Sequence, residues 1–277
     1  MIPNLLIGDV SIGNDPYNFE TRNMIDERFE DPQQIIIKPD PILKMLSVTI
    51  IVALAIVFAY AVIRMNPNFE SIVEHSSWII ADIVHIPQFV IPFLLIFLIS
   101  SGKISEFGFN FRPKSSSLTH AKMFVLGLIF GILMSIQPIT QYIKGGPIDI
   151  PQPVNAASFL GNMTFQWVVV GLSEETMFRG LIQTYLIINL SGHFRIVGHE
   201  LHIGTIIGAI IWGLFHIINI LVMPFGSVLA TVVITTLAGL MMGYAYQETR
   251  SLLTTIIIHN TLFGVPLTIS YILYWLL

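Results

Sequence analysis

Apolar positions along the chain gather into seven long runs, at about 45–63, 78–100, 122–140, 157–190, 203–223, 225–247 and 251–277. A helix needs roughly 20 mostly apolar residues to cross about 30 Å of hydrocarbon. The pattern therefore predicts an all-α, polytopic integral membrane bundle of seven or eight transmembrane helices. Two runs exceed a single crossing. The fourth contains Glu174-Glu175, and the seventh contains Pro266, which can kink or end a helix. Each reads as one long tilted helix or as a span joined to a shorter helix. Neither internal repeats nor low-complexity stretches stand out.

Composition supports a membrane protein over a soluble one. Hydrophobic residues make up 54% of the 277-residue chain and charged residues only 11%, whereas a soluble domain carries roughly 25% charge. Thirteen Lys and Arg against seventeen Asp and Glu leave no basic surplus, so no nucleic-acid partner is expected. There is no cysteine, which excludes disulfides, thiolate zinc ligation, cysteine nucleophiles and cysteine lipidation. The N-terminus shows neither a basic segment leading into an apolar run nor a Met-Gly start, so no secretory leader or myristoyl group is expected.

Position matters more than the total. Residues 1–44 hold eight acids (Asp9, Asp15, Glu20, Asp26, Glu27, Glu30, Asp31 and Asp40) and four bases (Arg22, Arg28, Lys38 and Lys44). They carry the whole formal charge of −4, while residues 45–277 hold nine acids and nine bases. The chain thus divides into an acidic, water-facing tail over 1–44 and a membrane-embedded unit over 45–277. Lys38, Lys44, Lys103, Arg112, Lys114 and Lys122 flank one side of the early spans, against Arg64 and Lys144 on the other. Arg195 and Arg250 join the tail's side if the fourth run crosses once. The positive-inside rule then predicts a cytoplasmic N-terminus.

Ionisable groups inside spans are costly, about 2.5–3.5 kcal/mol each at a helix centre, and tend to be paired or functional. The fourth run supplies Ser173-Glu174-Glu175-Thr176-Met177-Phe178-Arg179-Gly180. Glu175 and Arg179, four apart, share a helix face and are expected to pair. Glu174 lies about 100° away with no local partner, which suits a carboxylate that takes a proton from water. Trp212, His216 and Asn219 form one stripe in the fifth run, and His259-Asn260 interrupt the last. Together they make one candidate water-activation centre. Glu174 would be general base, His216 would share the water or carry protons, and His259 with a nearby amide would hold an oxyanion. Asp82 and His85, three apart, are expected to satisfy each other or to wall a cavity. His193, His199, Glu200 and His202 match no zinc spacing and are expected in a solvated loop.

Glu-Glu-x-x-x-Arg at 174–179, an aromatic-x-x-x-His at Trp212–His216 and a third-motif His259 resemble the CAAX protease and bacteriocin-processing family, and within it the type II CAAX prenyl endopeptidases. Phe107-Gly-Phe-Asn-Phe-Arg-Pro, ahead of the third span, resembles the family's loop before its core, and the resemblance covers about residues 100–265. It implies a glutamic intramembrane endopeptidase that needs no cofactor or metal. Glu174 and His216 would activate water, Glu175 and Arg179 would support them, and His259 would donate to the oxyanion. It also implies a cavity open to the cytosol, with Glu174 near the cytoplasmic end of its helix. The substrate would be a membrane-associated protein or peptide, with a prenylated C-terminus as the class suggested.

The third motif usually carries Asn four residues after its His, where this chain has Phe263. Asn260 or Asn219 is the alternative amide. Two other readings stay open: a zinc-dependent intramembrane protease using Glu174, His216 and His259, and a non-catalytic scaffold or immunity protein of the same fold.

Overall fold

The computed structural model describes residues 35, 37–111, 113–114, 120–151, 153–196 and 198–277. Most of the acidic tail and Arg112 lie outside these. The predicted all-α membrane bundle is what forms, with six helices long and apolar enough to span among the described residues. Helix α1 (Pro39–Arg64) starts with Pro at its first turn, where a missing N–H costs nothing, and Lys44 pairs with Asp40 at 2.8 Å. Helix α2 (Phe69–Ile99) is divided by non-helical backbone at Ser76. The third span is α3 (His120–Met134) followed by α4 (Ile136–Ile143).

The fourth run is a single interrupted helix rather than a span plus a separate one. Helix α5 (Ala156–Thr164) leads through π-helical turns at Phe165–Val169 into α6 (Val170–Glu175). A second π-helical stretch, Thr176–Gln183, continues into α7 (Thr184–Asn189). Single-turn π segments inside helices are frequent at functional sites. After it come α8 (Ile203–Phe215), prolonged by 3-10 turns at His216–Leu221, then α9 (Phe225–Thr249) and α10 (Leu252–Leu276). Helix α10 runs through Pro266 without ending.

The histidine-rich stretch departs from the expected loop. It forms an antiparallel hairpin, β1 (His193–Ile196) with β2 (His199–His202), pairing His193 with His202. Its histidines have structural work. His202 is buried and its Nδ1 accepts from Gly204 N–H at 2.9 Å, capping α8, while His199 Nδ1 and the Tyr244 hydroxyl lie 3.0 Å apart.

Small residues let the helices close on one another, as is usual where lipid offers no hydrophobic drive for association. Gly127 and Gly131 of α3 sit against α10; a Cβ on them would come within 2.9 Å of Thr261 Cβ and 2.8 Å of Val265 Cβ. The turn before α3, the α9–α10 corner and the hairpin share one end of the bundle. There Leu252 N–H donates to Gly108 O at 2.8 Å, Lys114 N–H to Thr249 O at 2.7 Å, and His202 N–H to Gln247 Oε1 at 2.9 Å.

Candidate active site

The interrupted fourth helix is the axis of the bundle: every residue from Ser173 to Ile187 is buried. Glu174 stands near the middle of the whole interrupted helix, Ala156 to Asn189, about 20 Å from the hairpin end at 1.5 Å per residue. That corrects the expectation of a position near one end of its helix. A carboxylate at this depth requires partners, and the neighbouring helices supply them.

Glu175 and Arg179 pair as their spacing predicts, Nη1 to Oε1 at 3.1 Å, both essentially without exposure. His259 of α10 brings its Nδ1 to 2.8 Å from the same Oε1. A carboxylate oxygen only accepts, so Nδ1 carries the proton and Nε2 is the ring's outward nitrogen. The Arg179 guanidinium also stacks over the Trp212 ring, 4.3 Å from its centre, where the ring's negative face attracts it. Glu175 Oε2 is buried with no hydrogen-bond partner among the described residues.

Trp212 ties this pair to the other carboxylate, since its Nε1–H donates to Glu174 Oε2 at 2.7 Å. The sequence pattern placed Trp212 on the same stripe as His216 but did not show this donor role. His216 is held by its own helix, with Nδ1 2.9 Å from Trp212 O. Because that carbonyl accepts, Nε2 is again the nitrogen left to act as a base. From His216 onward the helix tightens to 3-10 turns, in which side chains three apart eclipse. Asn219 therefore stands directly in line with His216, closer in angle than an α-helix would place it.

Asn260 does other work. Its Nδ2 donates to Trp167 O at 2.8 Å, inside the first π-helical stretch, and its Oδ1 packs onto Gly171, where any Cβ would collide with it. It joins α10 to the fourth helix. Phe263 covers the His259 ring, with centroids 5.1 Å apart. Phe263 also lines an apolar cleft of about 470 Å³ between α3, α9 and α10, with Phe130, Leu133, Ile234, Leu237 and Met241.

Asp82 and His85 do not satisfy each other. His85 Nδ1 lies 2.8 Å from Ala81 O, and Asp82 Oδ1 is buried with no hydrogen-bond partner among the described residues. Instead, His85 Nε2 faces Glu174 Oε1 at 3.9 Å. Three imidazoles from three helices, His85, His216 and His259, lie within electrostatic reach of the Glu174 carboxylate. Among the described residues, no three His, Asp or Glu side chains are arranged to hold a metal ion.

Residues 156–263 match the family model described as Type II CAAX prenyl endopeptidase Rce1-like, consistent with the CAAX protease and bacteriocin-processing family. The match covers Glu174, Glu175, Arg179, Trp212, His216, Asn219, His259 and Asn260, and leaves out Asp82 and His85. The matched segment covers 108 of the 277 residues and takes in the polar centre of the bundle. No curated protein and no solved structure shows significant similarity to the chain.

Proposed function

Starting from that match, we propose that the chain is a metal-independent endopeptidase in which Glu174 and His216 activate water against a peptide bond of a membrane-associated substrate. The observation that carries the reading is the convergence on Glu174 of an indole donor and imidazoles from separate helices. Trp212 occupies Oε2, so Oε1 is the oxygen turned to the reacting water. Glu174 takes one proton as the water oxygen bonds to the carbonyl carbon. Collapse of the tetrahedral intermediate breaks the C–N bond, and that proton reaches the leaving amine through His216 Nε2.

The developing oxyanion would be held by His259 in its doubly protonated form and by Asn219. Asn260 is less suited, because its amide nitrogen is engaged by Trp167 O. The apolar cleft beside Phe263 suits a hydrophobic chain, which favours a prenylated C-terminus as substrate. Arg195 lies in the hairpin, and Lys114 and Arg250 meet at the α9–α10 corner; with Lys38, Lys44, Lys103 and Lys122 assigned to the same side by the order of spans, they support a cytoplasmic N-terminus for the 1–44 tail and the 45–277 membrane unit.

Glu174→Gln keeps shape and the Trp212 contact while removing the base. Digestion of a peptide library and of a farnesylated CAAX peptide by wild type and variant tests the proposal. Cleavage by wild type, lost in Glu174→Gln and resistant to strong chelation, is the expected result. Undiminished turnover in the variant would overturn the mechanism, and loss of activity on chelation would favour a zinc enzyme.

A further inference from the structure

The family match begins only at residue 156, yet one of the three imidazoles at Glu174 comes from α2. Building on the hydrolytic reading above, we propose that His85 is a further catalytic residue: His85 Nε2 and Glu174 Oε1 hold the attacking water between them, each accepting one of its O–H bonds.

The ring is fixed at both ends. Its Nδ1–H donates to Ala81 O at 2.8 Å, which sets the tautomer and leaves the Nε2 lone pair toward Glu174. Phe165 of the first π-helical stretch meets the ring edge-on, with centroids 4.9 Å apart and planes at 75°. Glu174 Oε2 is engaged by Trp212, so the oxygen facing His85 is the one left for chemistry. The 3.9 Å between Nε2 and Oε1 is too long for a direct hydrogen bond. Both atoms are acceptors when the ring is neutral, so a shared donor with two O–H bonds is what fits between them.

His85 gains a defined proton step. As the water oxygen bonds to the carbonyl carbon, the O–H toward Glu174 breaks and its proton passes to Oε1. The second O–H stays on His85 Nε2. Once the C–N bond breaks and the amine has taken the first proton, the new carboxylic acid gives the second to Nε2 and leaves as carboxylate. His85 then returns that proton to solvent. The groups facing His85 are Asp82 on its own helix and Glu174 from α6. Beyond Glu174 stand His216 from α8 and His259 from α10, backed by Glu175 and Arg179.

The test uses the full-length protein in detergent, cleaving the farnesylated CAAX peptide, with His85→Phe, His85→Gln and Glu174→Gln side by side. His85→Phe keeps the packing on Phe165 and removes both nitrogens. We expect kcat to fall about 10²-fold with KM changed less than about twofold. The slope of the acid limb of log kcat/KM should fall by about one, because one fewer imidazole must be neutral. His85→Gln should recover part of kcat through its carbonyl oxygen without restoring the slope. A wild-type kcat and acid limb in His85→Phe, beside an inactive Glu174→Gln, would overturn this role and leave the hydrolytic reading standing. If His85→Phe does not fold, an unchanged acid limb in His85→Gln overturns it equally. Turnover by Glu174→Gln would remove the hydrolytic reading and this inference together.

Discussion

Helix α1 and the interrupted fourth helix are built on opposite plans. Along α1, Ile50, Leu54, Phe58 and Val62 are exposed, and only a narrow side bearing Met45, Val48 and Val52 is buried. The fourth helix is buried on all sides from Ser173 to Ile187, yet holds Glu174, Glu175, Arg179, Gln183 and Thr184. In water the buried helix would be the apolar one. In a bilayer the surrounding medium is as apolar as leucine, so the periphery carries the hydrophobic load and the centre can hold polar groups. Each of these five side chains makes at least one polar contact there. Gln183 donates to Thr205 Oγ1 at 3.0 Å and to Gly243 O at 2.8 Å, and the Thr184 hydroxyl lies 2.8 Å from that of Tyr246.

The sharpest way to break this contrast is to remove one partner from the centre. Arg179→Met preserves length and leaves Glu175 with His259 alone. An uncompensated buried charge typically costs about 3–5 kcal/mol. The variant should therefore unfold in detergent at a much lower temperature than wild type, measured by tryptophan fluorescence. Arg179→Lys should recover only part, since an ammonium does not reproduce the stacking on Trp212. A wild-type midpoint in Arg179→Met would mean that the pair is incidental to the fold.

Peripheral spans were legible from sequence because apolar length alone decides them, and six runs correspond directly to spanning helices. The Glu175–Arg179 pair was legible as well, because a spacing of four puts both groups on one face even where the helix loosens into π turns. What the pattern missed is backbone detail that side-chain spacing does not encode. The π stretches on either side of Glu174 and the 3-10 turns after His216 change which residues line up. The Asp82–His85 pairing does not form, because His85 Nδ1 turns to Ala81 O and its Nε2 to Glu174, contacts that a spacing of three does not encode. The hairpin was hidden because its strands are four residues each and rich in polar side chains.

A smaller effect separates the two asparagines that the sequence offered as oxyanion donors. Asn219→Ala should leave thermal stability near wild type and lower kcat about 10²–10³-fold, the usual cost of one oxyanion donor. Asn260→Ala should do the reverse. It strips the partner from Trp167 O, costing about 1–3 kcal/mol, with a lesser effect on kcat. Paired melting curves and single-turnover rates distinguish the two. Swapped phenotypes would place Asn260, not Asn219, at the reacting carbonyl.

The smallest effect belongs to α1. Leu54 is 63% exposed and faces the surroundings rather than the bundle. Leu54→Val removes one methylene from a lipid-facing side chain, creates no cavity and unpairs no polar group. None of the mechanisms that produce large destabilisation is engaged, so the change should stay within about 0.5 kcal/mol and leave kcat untouched. The same methylene lost from the centre, by Leu181→Val, lies where exposure is 0% and should cost about 1 kcal/mol, because packed neighbours relax only partly around the gap. Melting points of the two variants in one detergent compare periphery with centre at constant chemistry. Equal shifts would show that α1 packs against something other than lipid, and that the inside-out plan does not extend to it.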